Sequence, residues 1–302
     1  MCAEQAAILN FVRQRVRLFD GGTGSKLFAL GWRGEDKCPE AAPPEIVTRI
    51  HADYLEAGAE FLTTNTFGGT RHKLQNFGLG DRTAELNRRN ARLAREAAGR
   101  AAAAPRPFFV AGDLGPTGLL PEPYGEATFE DFYNLFKEQA EALLEGEVDL
   151  FIVETMSAAE ELQAAVRAAK DLAPDVPVIG SMTFQRTPQG FRTMMGVSPA
   201  EAVACMREAG CDIVGSNCTM GPADFVGLVG ELVEAAGGLP VLAEPNAGQP
   251  RLENGRTVYC LADGWEAHAR AILDAGAQLI GGCCGTDERY IRTLRSIVDG
   301  RA

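Results

Sequence analysis

Residues 198–218 read SPAEAVACMREAGCDIVGSNC, and this stretch contains one whole unit of the fold. Ser198 ahead of Pro199 is a helix start, with the serine as N-cap and the proline in the first helical turn. The amphipathic segment Pro199–Ala209 follows, and Gly210 supplies the left-handed stop. Ile213–Gly215 is then a short β-rich apolar run that exits into Asn217-Cys218.

The same unit recurs in both directions along the chain. Strand candidates are Val16–Phe19, Glu60–Thr64, Phe108–Ala111, Leu150–Val153, Val176–Met182, Pro240–Ala243 and Gln278–Ile280, besides Ile213–Gly215. Helical periodicity fills Pro44–Ala57, Arg82–Ala103, Thr128–Leu144, Ala158–Asp171, Ala223–Ala236, Gly264–Ala275 and Asp287–Val298. Thr128 three residues before Asp131 is a loose capping box, and Gly58 and Gly276 end helices as Gly210 does. Eight strands alternating with eight helices in 302 residues predict an α/β protein, a (β/α)8 TIM barrel. A doubly wound open sheet rarely needs eight such units. No Pro- or Ser-rich linker interrupts the pattern, so one domain over 1–302 is expected, with Ala101–Pro107 as a helix end plus loop.

Composition narrows the function. Asp and Glu outnumber Lys and Arg by 41 to 29, a formal charge of −12, which argues against a nucleic-acid backbone or an anionic membrane as partner. No apolar run is long enough to span a bilayer, and Met1–Phe19 lacks the form of a secretory signal. A cytoplasmic protein is expected. Eight cysteines in such a chain do not suggest a disulfide framework. Cys2 and Cys38 lie in polar stretches, Cys205, Cys211 and Cys260 read as buried small apolar residues, and Cys218, Cys283 and Cys284 stand among glycines.

Barrel active sites collect where strands end. The residues just past the expected strands are Asp20-Gly21-Gly22, Asn65, Asp113, Glu154, Asn217-Cys218, Glu244-Pro245-Asn246 and Cys283-Cys284. Cys218 and the Cys283-Cys284 pair would sit two strands apart, and the flanking glycines allow both adjacent sulfurs to face one point. Three thiolates suit Zn2+ and leave a fourth position open, as in catalytic sites. Three buried apolar cysteines, or a redox-active adjacent pair, are the other readings. Asp20-Gly-Gly-Thr-Gly-Ser25 lacks the Gly-Lys-Ser/Thr end of a phosphate loop, and its backbone N–H groups can instead hold a carboxylate. Glu154 needs a cationic partner if buried, either a substrate ammonium or a structural Arg or Lys. His51, His72 and His268 have no spaced partner and read as surface or core histidines. No Gly-x-Ser-x-Gly elbow supports serine hydrolysis.

Taken together, Phe19-Asp-Gly-Gly-Thr-Gly24, Thr63-Thr-Asn-Thr-Phe67, Gly112-Asp-Leu-Gly-Pro-Thr-Gly118, Val153-Glu-Thr155, Gly215-Ser-Asn-Cys218, Glu244-Pro-Asn-Ala-Gly248 and Gly281-Gly-Cys-Cys-Gly-Thr286 resemble the homocysteine S-methyltransferase family. The resemblance runs over essentially the whole chain and is nearest to the homocysteine-binding barrel of cobalamin-dependent methionine synthases. Betaine-using relatives carry a Tyr after the glutamate, where this chain has Thr155. The resemblance implies a zinc-bound homocysteine thiolate that attacks an activated methyl group to give methionine. It implies Cys218, Cys283 and Cys284 as catalytic zinc ligands, with Asn246 in the fourth position until homocysteine displaces it. Asp20, Gly21 and Gly22 would handle the amino-acid backbone, Glu154 the ammonium, and Asn217 would lie next to the substrate.

The methyl group is expected from methylcobalamin or a corrinoid protein bound outside this chain, because the Asp-x-His-x-x-Gly cobalamin signature is absent. A separate corrinoid protein, a cobalamin module of a longer enzyme, or a small donor such as S-methylmethionine would each complete the reaction. A zinc- or thiol-binding barrel without catalysis is the alternative from another class. Asp20 and Glu154 speak against it, since metal storage needs no amino-acid recognition.

Overall fold

The computed structural model describes residues 3–34, 36–101, 107–253 and 256–301. Cys2, the helix end expected at Ala103 and most of Ala101–Pro107 lie outside them. Eight parallel strands form one sheet: β1 Arg17–Leu18, β2 Phe61–Thr63, β3 Phe109–Leu114, β4 Leu150–Met156, β5 Val178–Met182, β6 Ile213–Asn217, β7 Val241–Glu244 and β8 Leu279–Ile280. Their spatial order is β1-β8-β7-β6-β5-β4-β3-β2, and a parallel bridge from Phe19 to Phe61 joins the two ends. The chain is a (β/α)8 barrel.

The expected helices are present at Pro44–Ala57, Thr83–Ala101, Phe129–Glu145, Ala159–Leu172, Pro199–Ala209, Pro222–Ala236, Trp265–Asp274 and Glu288–Asp299. Ser198 with Glu201 and Thr128 with Asp131 make reciprocal capping boxes. Gly58 and Gly210 are left-handed C-caps, at φ 106° and 95°.

Strand alternation sorts the core into two shells. One face of each strand packs against the helices. The other fills the barrel with Phe19, Phe61, Ala111, Leu150, Ile152, Ile179, Ile213, Leu242 and Leu279. A further helix, Ala3–Gln14, was not foreseen, and it closes the N-terminal end of the barrel with Ile8, Leu9 and Val12.

Below this plug, Glu60 is fully buried and gathers Arg17 at 3.1 Å, Arg295 at 3.3 Å and the more exposed Arg15 at 2.9 Å. Removing one partner from a buried charge cluster leaves the others uncompensated. Glu60→Gln is therefore expected to lower the unfolding free energy by roughly 3–5 kcal/mol, read from the urea midpoint.

Two side chains depart from expectation. Cys260 is exposed rather than buried, at the end of a hairpin, Pro250–Glu253 with Arg256–Tyr259, that precedes the helix Trp265–Asp274. His51 is buried in the helix Pro44–Ala57 with neither ring nitrogen hydrogen-bonded, so it is not a satisfied core histidine. Burial lowers its pKa to about 4. The unfolded chain takes up that proton near pH 6.5 while the folded chain resists it, so stability falls as pH drops from about 6.5 to about 4. The shift is worth about 3 kcal/mol, and His51→Leu should flatten this part of a stability-against-pH curve.

Candidate functional site

The apolar filling of the barrel stops one layer short of its C-terminal mouth. The next inward residues, by the same alternation, are Thr63 on β2, Asp113 on β3, Glu154 on β4, Ser181 on β5, Asn217 on β6 and Glu244 on β7. Asp113, Glu154, Asn217 and Glu244 therefore lie inside strands rather than just past them, as the sequence had suggested. Asp113, Asn217 and Glu244 still pair in the ladder, while Glu154 sits in the irregularity of β4 between Val153 and Met156.

Asn217 organises this layer. Its Oδ1 accepts from Thr155 N at 2.8 Å and Ser181 Oγ at 2.7 Å. Its Nδ2 donates to Glu154 Oε2 and Thr155 Oγ1, both at 2.7 Å, and lies 3.9 Å from Cys283 Sγ. The amide is fully engaged, so it fixes the Glu154 carboxylate and ties it to the cysteines. Asp20 is held in the same way, accepting from Thr63 N at 2.8 Å and Thr63 Oγ1 at 2.9 Å.

Asp20, Asp113 and Glu244 are buried, while Glu154 keeps a partial opening to the mouth. Removal from water raises Asp20 to about 7 against the pull of its Thr63 hydrogen bonds. Glu154 rises to about 8, through desolvation and then the nearby Cys284 charge. Asp113 and Glu244 rise well above the carboxylate range, through burial and then Glu154. The main influences on these four groups are burial, hydrogen bonds and other acidic groups, with no lysine, arginine or histidine among them. The chamber lacks positive charge and suits a cation.

The three cysteines meet at its edge. Their sulfurs lie within 4.8 Å of one another, and Cys218 Sγ is 3.9 Å from Cys284 Sγ. The segment from Glu244 to Ala247 threads between them. Cys218 N donates to Glu244 O at 3.0 Å, Cys283 N to Pro245 O at 2.9 Å, and Ala247 N to Cys284 O at 3.0 Å. Cys218, Thr219 and Thr155 all take positive φ, near 60°, a strained conformation for non-glycine residues that clusters at functional sites. Gly22 approaches so closely that a Cβ would meet Cys283 O at 2.5 Å, and its N–H is taken by Thr286 Oγ1 at 3.0 Å. Gly21 packs against Thr286 and Tyr54.

The thiols share negative charge. Hydrogen bonds donated by Cys218 and Cys283 hold Cys284 at about 3, while the same bonding and burial raise Cys283 well above the usual thiol range. Such a cluster is a soft, anionic donor set of the kind that suits zinc. Asn246 fits with it: the residue is 2% exposed, and its Oδ1 has no hydrogen-bond partner. Its neighbours Pro245 and Ala247 bond the backbones of Cys283 and Cys284, and a buried carbonyl oxygen left open on that segment is a candidate fourth ligand.

Fold and site define a (β/α)8 barrel whose mouth carries a three-thiol cluster beside a carboxyl-lined chamber. The chain belongs to the homocysteine S-methyltransferase family, whose model matches residues 17–298. It is 32% identical over 305 residues to the methionine synthase of Mycobacterium tuberculosis, covering 96% of this chain and 25% of that protein. The methionine synthase of Mycobacterium leprae is similar at 31% identity, again over 96% of this chain and 25% of that protein. The chain thus spans about a quarter of the length of these curated relatives. Among solved structures, the oxidized form of the homocysteine methyltransferase MmuM from Escherichia coli superposes with a TM-score of 0.80 at 23% identity, covering 98% of this chain and all of that one. Its metallated form gives 0.77 at 25% identity, covering 97% and 99%. Among the described residues, no helix is long and apolar enough to cross a membrane.

Asp113 and Glu244 were visible in the sequence only as strand-end polar residues without a role. Thr63 and Ser181 went unnoticed as the partners that hold Asp20 and Asn217. The signal that finds all four is strand parity, which needs the register and not only the strand.

Proposed function

We propose that this chain methylates homocysteine to methionine, with a zinc ion held by Cys218, Cys283 and Cys284 and with Asn246 as fourth donor in the substrate-free state. The observation that carries this reading is the convergence of three sulfurs within 4.8 Å of one another beside a chamber of carboxyls. The chemistry such an ion supplies is deprotonation of the substrate thiol, which near its free pKa of about 8.5 is only a few per cent thiolate at neutral pH.

The chain's own residues do the rest. Glu154, fixed by Asn217, receives the substrate ammonium, and Asp20, fixed by Thr63, reinforces the negative potential there. The turn at Gly21 and Gly22 puts no side chain in the way of the substrate's amino-acid backbone, and Thr286 Oγ1, which accepts from Gly22 N, holds the turn in place. A storage or docking module would have no use for these carboxyls.

We assign the methyl donor as a corrinoid carried outside this chain. All nine exposed large apolar side chains among the described residues lie on the mouth side, in strand-to-helix connections or, for Phe129, at the first position of a helix. Phe67, Leu120, Tyr124, Met194 and Leu252 are among them. An apolar rim suits a bulky docked donor more than a small, freely diffusing one. Methionine formation from homocysteine should proceed with methylcobalamin or a methylated corrinoid protein and be poor with S-methylmethionine or betaine at matched concentrations. Robust turnover on the sulfonium donor, with none from either corrinoid, would replace this donor assignment.

A further inference from the structure

Cys218 leaves β6 through a strained turn. Met220 N donates back to Cys218 O at 2.7 Å, which closes a three-residue γ-turn with Thr219 at its centre. Thr219 takes φ 59° and Cys218 takes φ 65°. Positive φ belongs to the rare, strained form of this turn, and a β-branched threonine is poorly suited to it. Such a conformation persists only where its surroundings over-determine it.

Both backbone and side chain brace it. Cys218 N donates to Glu244 O, and Asn246 N donates to Met220 O, each at 3.0 Å. The turn thereby sets Cys218 and Asn246 in fixed register with each other. At its apex, the Thr219 hydroxyl is hydrogen-bonded to the hydroxyl of Thr183, just past β5. Thr183 N in turn donates to Met156 O at 2.9 Å, so this hydroxyl stands on the wall formed by β4 and β5. The contact is the upper of two rungs. In the lower one, Ser181 Oγ donates to Asn217 Oδ1 at 2.7 Å. Cys218 therefore lies between two residues, Asn217 and Thr219, that are both clasped from the β5 side.

We propose that Thr183 is a positioning residue for the metal site: its hydroxyl latches Thr219 and holds the γ-turn in the form that keeps Cys218 facing Cys284. The two sulfurs stand 3.9 Å apart in that form. This rests on the zinc reading above. Without the latch, only the two backbone bonds resist relaxation of the turn toward negative φ. Cys218 then loses its fixed direction while the barrel stays intact. In this role Thr183 acts only through Thr219.

The test is zinc affinity, measured by competition with a chromophoric chelator, together with the absorption spectrum of the cobalt-substituted protein. Thr183→Val keeps the side-chain shape without the hydroxyl, and Thr183→Ser keeps the hydroxyl. Thr183→Val should weaken zinc binding by about 10–100-fold, as other changes behind a ligand do, and shift the cobalt ligand-field bands. Thr183→Ser should retain both. A merely structural role would lower the urea midpoint and leave the cobalt bands where they are. Thr219→Val breaks the same contact from the other side and should weaken zinc likewise, so a folding defect in one variant leaves the other to decide. Thr219→Gly, which takes positive φ without strain, should bind zinc more tightly than Thr219→Val. Unchanged zinc affinity and cobalt bands in a folded valine variant overturn the inference, as does a loss that Thr183→Ser fails to rescue. So does equal weakening by Thr219→Gly and Thr219→Val. A natural protein that binds no zinc overturns the proposed metal site, and this inference with it.

Discussion

Replacing Cys284 by alanine is expected to empty the proposed metal site and abolish the proposed methyl transfer. Cys284 is the thiol that carries the shared negative charge, held at about 3 by hydrogen bonds from Cys218 and Cys283. Without it, two of the three sulfurs remain, and the donor set loses the thiol that holds the anion. Changes to groups that merely support metal ligands cost about 10–100-fold in affinity or activity, and loss of a ligand should exceed that. Zinc content should fall from about one ion per chain to none by metal analysis, with Cys218→Ala and Cys283→Ala behaving alike. Full activity in metal-free protein would refute the assignment.

The second large effect is expected at Glu154. Glu154→Gln keeps the shape and the Asn217 contact but removes the charge that faces the substrate ammonium. Truncating one side of a desolvated charge pair costs roughly 2–5 kcal/mol, which is about thirty- to several-thousand-fold in affinity. Homocysteine dissociation constants should rise by that factor while zinc content stays unchanged. Altered zinc with unaltered homocysteine affinity would place Glu154 on the metal side instead.

The sequence showed the barrel because its strands are apolar runs and its helices carry start and stop residues such as Ser198 and Gly210. It misplaced the strand ends, since Asp113, Asn217 and Glu244 break the apolar pattern while still pairing in the ladder, and Glu154 lies in an irregularity that β4 continues past. The cysteines stood out by chemical identity alone. The carboxyl layer did not, because its members are up to 224 residues apart, from Asp20 to Glu244, and meet only through the sheet register. The plug helix Ala3–Gln14 also escaped, as did the hairpins Gln185–Thr187 with Gly190–Arg192 and Pro250–Glu253 with Arg256–Tyr259.

The barrel wall is unevenly built. Its two shortest strands, β1 and β8, are two residues each and lie side by side, and β1 meets β2 beyond them through the single Phe19–Phe61 bridge. This thin part of the hoop is also where Asp20 and Cys283-Cys284 emerge, while Cys218 emerges from β6, across β7. An ion clamped between Cys218 and the Cys283-Cys284 pair would therefore act as a rivet over the weakest joint. Chelation should then be felt as a loss of local protection, with amide exchange quickening around residues 17–22 and 279–286 well before the outer helices respond. In this barrel, the metal would serve as part of the wall as well as part of the chemistry.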